Sequence, residues 1–159
     1  MVTASIGVTV RKAVTDGLAT HFASLSDFNG ATAAEREVLV SFGYSFGSQE
    51  TEQVYTGRSR ADTPPAALRS GRNTRNESGE FDLNVMVRFV GGDGYDAELR
   101  AEAIGGEVED WFADRKSNEL GVTGLLSLIC TGWVADYAQI DGGTAALRTY
   151  TVRWTARLE

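Results

Sequence analysis

Apolar residues recur along this chain with two different periods, one typical of helices and one typical of strands. Between residues 5 and 25 they recur about every four positions, which predicts a helix with one buried stripe. That stripe consists of Val10, Val14, Leu18, Phe22 and Leu25. A second helix is predicted over residues 95–114, with Leu99, Ala103, Val108, Trp111 and Phe112 on its inner face. Gly105 and Gly106 lie in its middle, where two glycines indicate a kink or a close backbone contact.

Strands are predicted in the remaining segments. Apolar and polar residues alternate over 37–46, 81–89 and 145–158, as in strands with one buried face. Residues 52–56 predict a short strand, and residues 126–140 a strand rich in apolar and aromatic side chains. This order of elements predicts a single α+β domain over residues 1–159: a mostly antiparallel sheet of four to five strands with two main helices packed on one face.

Residues 57–79 break the periodicity and are predicted to form a long basic loop between strands. The segment contains both prolines and five arginines, namely Arg58, Arg60, Arg69, Arg72 and Arg75. A loop of this length inside a compact domain is functional or mobile. Arginine forms bidentate pairs with carboxylates and phosphates, so the loop favours a protein or nucleic-acid partner. Aromatic side chains for base stacking are missing between residues 57 and 78, which favours a protein.

Charge is distributed unevenly along the chain. Its 159 residues include 22 acidic and 15 basic side chains, with a net charge of −7. Residues 58–75 carry five arginines against one aspartate, whereas residues 93–119 carry nine acids against three bases. Glu98, Glu102 and Glu109 lie on the outer face of the second predicted helix. We therefore predict assembly contacts at these three glutamates and at the five arginines of the loop.

The residue inventory argues against an enzyme. Cys130 is the single cysteine and His21 the single histidine, so a disulfide within the chain is excluded and the soft ligands for a structural zinc site are nearly absent. Cys130 lies in an apolar strand, where a thiol is expected to be inert. The glutamates of the second helix lie opposite its apolar stripe and are predicted to face water, as on the solvated face of an ordinary amphipathic helix. We expect no catalytic residue, no metal and no cofactor.

A glycine-rich turn at residues 91–94 follows a strand and precedes a helix, as phosphate-binding loops do. It lacks the lysine and the Ser or Thr of a P-loop and the spacing of a dinucleotide fingerprint, which favours an ordinary turn. A small-ligand-binding α+β domain using residues 91–96 is kept as an alternative. The most apolar run, residues 125–135, is about half the ~20 residues that a membrane span requires. Arg11 and Lys12 stand where a signal peptide would be apolar.

The chain resembles the tail terminator proteins of long-tailed phages, especially those of actinobacterial phages. The resemblance covers nearly the whole chain and rests on element order and composition. The residues that carry it are Glu52-Gln53-Val54-Tyr55-Thr56-Gly57, Pro65-Ala66-Ala67-Leu68, Arg69, Arg72 and Arg75, the alternating segment 80–89, and the closing segment 148–158.

This resemblance implies a structural protein of the virion, assembled in the host cytoplasm. It implies a homohexameric ring at the head-proximal end of the tail, which stops polymerisation of the tail tube. The implied partners are other copies of the chain, the tail tube protein and the head-completion proteins, while DNA passes through the lumen without sequence-specific binding. Neighbours in a ring meet head to tail, so the basic and acidic segments are expected to be complementary. A neck (head-completion) protein and a tail tube protein are the alternative functions.

Overall fold

A computed structural model of the chain describes residues 5–31, 37–45, 52–62, 75–90, 93–115, 117–140 and 142–158. These residues contain the α-helices α1 (Gly7–Ala23) and α2 (Gly94–Ala113) and a short 3₁₀ helix (Ser117–Leu120). They also contain the strands β1 (Val38–Ser41), β2 (Glu52–Asp62), β3 (Arg75–Val90), β4 (Leu125–Ile140) and β5 (Gly143–Leu158). Within this described part, neither helix combines the length and apolar character needed to cross a membrane.

The five strands form one sheet in the order β1-β2-β3-β5-β4. β1 runs parallel to β2, and every other neighbouring pair is antiparallel. β3, β4 and β5 have 16 residues each, and β5 lies between the other two. The predicted α+β class, with a mostly antiparallel sheet, is confirmed.

The hydrophobic core lies between one face of the sheet and the two helices. α1 buries four of the five residues of its predicted stripe, Val10, Val14, Leu18 and Phe22, while Leu25 lies beyond the end of the helix and is partly buried against the core. Alternate residues of the central strands face the same core: Phe81, Leu83, Val85 and Val87 from β3, and Tyr150, Val152, Trp154, Ala156 and Leu158 from β5. The residues between them face the opposite side of the sheet, against which neither of the described α-helices packs, and we call it the helix-free face. The predicted division of β5 into two faces is confirmed.

The buried face of α2 differs from the prediction. Leu99 and Ala103 are exposed rather than inward-facing. The buried residues of this helix are Ala97, Ala101, Ile104, Gly105, Val108 and Trp111. This face is buried because α2 packs closely against β5 there. A Cβ at Gly105 would collide with the Tyr150 hydroxyl and lie 3.2 Å from Cδ of Arg148. Of the two outcomes predicted for the glycine pair, α2 therefore shows a close contact at Gly105.

The strands around the predicted loop differ from the prediction in length. β2 continues to Asp62 and β3 begins at Arg75, so residues 57–62 and 75–79 are strand, and the prediction of a loop over all of 57–79 was wrong at both ends. A bulge interrupts the pairing of β2 with β3 between Thr56 and Ser59. Residues 63–74 lie outside the described part of the chain.

The first predicted strand, residues 37–46, is shorter than expected. β1 ends at Ser41. The aromatic residues that follow it, Phe42 and Tyr44, are not part of the strand, and their side chains make packing contacts instead. The guanidinium group of Arg11 lies 4.4 Å from the centroid of the Phe42 ring, and the Tyr44 ring meets Tyr55 edge-on at 5.3 Å. Because these aromatic residues alternate with other residues as they would in a strand, the predicted strand is longer than the hydrogen-bonded strand β1.

Candidate assembly surfaces

The described part of the predicted basic loop is the exposed end of the β2–β3 hairpin. Arg58 and Arg60 lie on the outer half of β2, where residues 58–62 are all exposed. Nε of Arg60 lies 3.0 Å from Oε1 of Glu80, whose other oxygen lies 3.5 Å from Nε of Arg153. These three residues face each other across three strands on the helix-free face. Arg75 contributes its backbone to β3, while its side chain, Arg69 and Arg72 lie outside what the structure describes.

The three predicted acidic contacts lie on α2 and are all exposed. Glu98 and Glu102 lie in its N-terminal half. Glu109 also accepts a hydrogen bond of 2.8 Å from the Tyr150 hydroxyl, which joins α2 to β5. Glu98 and Glu102 are therefore the members of the set best placed to meet another molecule, whereas Glu109 also has a structural contact.

The single histidine joins the two helices. Nε2 of His21 on α1 lies 3.0 Å from Oε2 of Glu107 on α2. Both side chains are partly exposed. Cys130 lies elsewhere, in β4. Among the described residues there is also no group of three or more His, Cys, Asp or Glu side chains placed to hold a metal ion.

The N-terminus of α2 carries its own carboxylate. Asp93 is the N-cap residue, and its side chain accepts a hydrogen bond of 3.0 Å from the backbone N–H of Asp96. A phosphate bound at a helix N-terminus needs such N–H groups for itself, and it would be repelled by a carboxylate there. This contact argues against phosphate binding at this helix N-terminus, while residues 91 and 92 of the predicted turn lie outside the described part of the chain.

An exposed apolar surface on β4 has no counterpart among the sequence predictions. From Gly132 to Ile140 every residue of this strand is exposed. The large apolar side chains that are exposed on β4 are Leu126, Ile129, Trp133, Val134, Tyr137 and Ile140. The apolar composition of this segment was visible in the sequence and predicted a strand, but it did not predict that the apolar side chains are exposed.

A groove of about 520 Å³ separates α2 from β4. Phe112 of α2 lines one side, and Leu128, Cys130 and Trp133 of β4 line the other. The guanidinium group of Arg148 stacks on the Trp133 ring, 3.9 Å from its centroid. The groove exists because α2 packs mainly on β5 and β3, which leaves the helix side of β4 largely uncovered.

Cys130 lies in this groove as a protonated thiol. Burial, with a smaller effect of the Glu109 carboxylate, raises its pKa from 9.0 to about 11. Because the thiolate is the reactive form, native Cys130 should react with iodoacetamide at pH 8 about 100-fold more slowly than the same residue in the urea-unfolded chain. Mass spectrometry of quenched, dilute samples measures both rates. Equal rates would contradict the inert role assigned to this cysteine.

The fold of this chain is similar to that of a chain in a solved structure titled "Virion of native gene transfer agent (GTA) particle". The match covers 98% of this chain and 99% of that chain, with a TM-score of 0.55 and 16% sequence identity. No protein-family model matches the sequence, and no curated protein sequence matches it. At this identity, the similarity establishes a shared fold over the length of both chains.

Proposed function

We propose that this protein is a structural component of a phage-like particle and acts as its tail terminator. The observation that carries the proposal is the match over nearly the whole of both chains to a chain of a gene transfer agent virion. In this role, copies of the protein form a ring on the finished tail tube, stop its polymerisation and present a surface to the head-completion proteins.

The surface chemistry supports an assembly role. A tail terminator needs surfaces for its neighbours in the ring, for the tube and for the head side. The chain has an exposed basic strand end at Arg58 and Arg60, an exposed acidic helix face at Glu98 and Glu102, and an exposed apolar strand, β4. Monomeric proteins rarely expose an apolar surface that is continuous along a strand, so β4 favours contact with another protein.

Electron microscopy of particles produced without this protein tests the proposal. Abnormally long tails detached from heads are the expected result, because nothing then stops the tube. Tails of normal length beside unjoined heads would overturn the terminator role in favour of a neck protein, and missing tails in favour of a tube protein. Unaffected particles would overturn all three. Wild-type protein supplied in trans should restore normal tails.

Charge reversal tests whether the basic segment makes the assembly contacts. Protein with Arg69→Glu, Arg72→Glu and Arg75→Glu, supplied in trans, should fail to restore tail length, because a basic segment that binds an acidic surface becomes repulsive.

The matched control reverses three basic residues elsewhere, Lys12→Glu, Arg115→Glu and Arg157→Glu, which are all exposed. It changes the net charge by the same amount and should restore normal tails. If both triple variants restored normal tails equally, the basic segment would not be one of the assembly contacts.

A further inference from the structure

β4 is an edge strand without the features that usually protect an edge. Within the described residues, β5 is the strand that pairs with it, so its other side is open. Soluble proteins protect long edge strands with charges, prolines or short length. β4 has 16 residues, contains no proline, and carries one charged residue, Asp136.

The outer part of β4 is apolar on both faces of the sheet. Trp133 and Tyr137 pair with Tyr150 and Ala146 of β5, so they lie on the helix side. Val134 pairs with Thr149, which places it on the helix-free face. Val134 and Tyr137 are 63% and 65% exposed. A strand that is apolar on both faces and open along one edge has the chemistry of a strand inside a sheet.

Two acidic side chains lie near β4, one on each face of the sheet. Asp136 pairs with Leu147 of β5, which places it on the helix-free face, whereas Glu98 of α2 lines a shallow cavity together with Trp133 on the helix side. The Arg148 guanidinium there stacks on the Trp133 ring. A two-fold contact between two β4 edges would bring the two acidic sets together, which is unfavourable. The partner surface is therefore expected to be basic and different from β4.

The same chain has such a surface at the opposite side of its sheet. β1 pairs with residues 52–55 of β2, and no other described strand pairs with residues 58–62 on that side. This second open edge carries Arg58 and Arg60, and the side chain of Arg60 is 72% exposed although it contacts Glu80. Arg58 and Arg60 outnumber Asp62 on the outer half of β2, whereas Asp136 is the one charged residue of β4, so the two edges on opposite sides of the sheet carry opposite net charges.

We propose that β4 of each copy binds the outer half of β2 of a second copy, so that the contact repeats head to tail. The inference rests on the proposed function in one respect: a head-to-tail contact that closes gives the ring that a terminator requires. Apolar burial at Val134 and Tyr137 stabilises the contact. The charges at Glu98 and Asp136 against Arg58 and Arg60 determine which edges meet.

Self-association of the purified full-length chain tests the apolar part. Sedimentation velocity over a concentration series should show oligomers of the wild type, and Val134→Glu should weaken the association at least tenfold. Val8→Glu on α1 is the matched control, because Val8 is 65% exposed and the substitution is the same. It should leave association unchanged. A wild type that stays monomeric at every concentration, or equal association of the two variants, would overturn the proposal.

A mixing experiment tests the choice of edges. A variant with Glu98→Arg and Asp136→Arg, and another with Arg58→Glu and Arg60→Glu, should each lose self-association. An equimolar mixture should associate again, because each variant has one unchanged edge and one reversed edge that matches its partner's reversed edge. Failure of the mixture to associate, when each variant alone is monomeric and folded by circular dichroism, would overturn the head-to-tail contact.

These outcomes are separable from those of the depletion experiment. Association that the β4 substitution leaves unaffected would overturn this contact, while long tails in depleted particles would still support a terminator. Normal tails in depleted particles would overturn the terminator role, while the association measurements would still establish the contact between copies.

Discussion

Arg100→Met is expected to lower the free energy of unfolding by about 3–5 kcal/mol, since it leaves a buried carboxylate without its partner. Glu52 is 1% exposed, and its two oxygens accept hydrogen bonds of 2.9 and 3.0 Å from Nε and Nη2 of Arg100. Nη2 also donates to the backbone oxygen of Asp27 at 3.0 Å, and the guanidinium group lies over the Phe28 ring. One arginine therefore joins α2 to the start of β2 and to the loop after α1.

Urea unfolding followed by tryptophan fluorescence measures the effect. The comparison variant is Asp16→Asn, which removes the exposed ion pair with Lys12 and should change stability by about 0.5 kcal/mol or less. The double variant with Arg100→Met and Glu52→Leu should regain most of the loss, because no buried charge remains. A loss below about 1 kcal/mol for Arg100→Met would contradict the structural importance of the pair.

Gly105→Ala is expected to destabilise the protein by about 1–3 kcal/mol, although alanine is the better helix former. A Cβ at this position collides with the Tyr150 hydroxyl, which is held by its hydrogen bond to Glu109. Relief requires α2 to move away from β5 or Tyr150 to leave its position, and either change opens a gap in a packed core.

The neighbouring residue gives an internal control. A Cβ at Gly106 meets no atom within 4 Å, so Gly106→Ala should stabilise the protein by about 0.5–1 kcal/mol. Two adjacent substitutions of the same kind should thus change the midpoint of thermal unfolding in opposite directions. If both raised it, α2 and β5 would be farther apart than the structure has them.

Much of the fold follows from the sequence because periodicity reports which side of an element is buried. α1 and β5 each bury a single clear stripe, and both predictions are confirmed. The buried face of α2 was mispredicted because it is built from small residues, including Ala97, Ala101 and Gly105. Small residues permit close packing against β5, but a hydrophobicity pattern favours the larger Leu99.

The candidate assembly surfaces were harder to predict from the sequence than the fold was. Residues 57–62 are strand but show no alternation, since both of their faces meet water and no core imposes a period of two. The exposure of β4 depends on strand order, because β5 lies between β3 and β4 and leaves β4 at the edge. Nothing in the pattern of a single strand reports its place in a sheet. The roles of the arginines and glutamates as assembly contacts stay predictions for the experiments above.

Because β5 lies between β3 and β4, the sheet cannot be completed until β5 has been synthesised. The strand that joins β3 to β4 is the last of the described strands to be synthesised, and its partners on β3 lie about 50 to 80 residues earlier. At about 5–20 residues per second, β3 emerges from the ribosome seconds before β5 can pair with it. During that interval the apolar faces of β3 and β4 are open to other nascent chains. We therefore expect the yield of native protein to depend on chaperones and expression temperature more strongly than its final stability suggests.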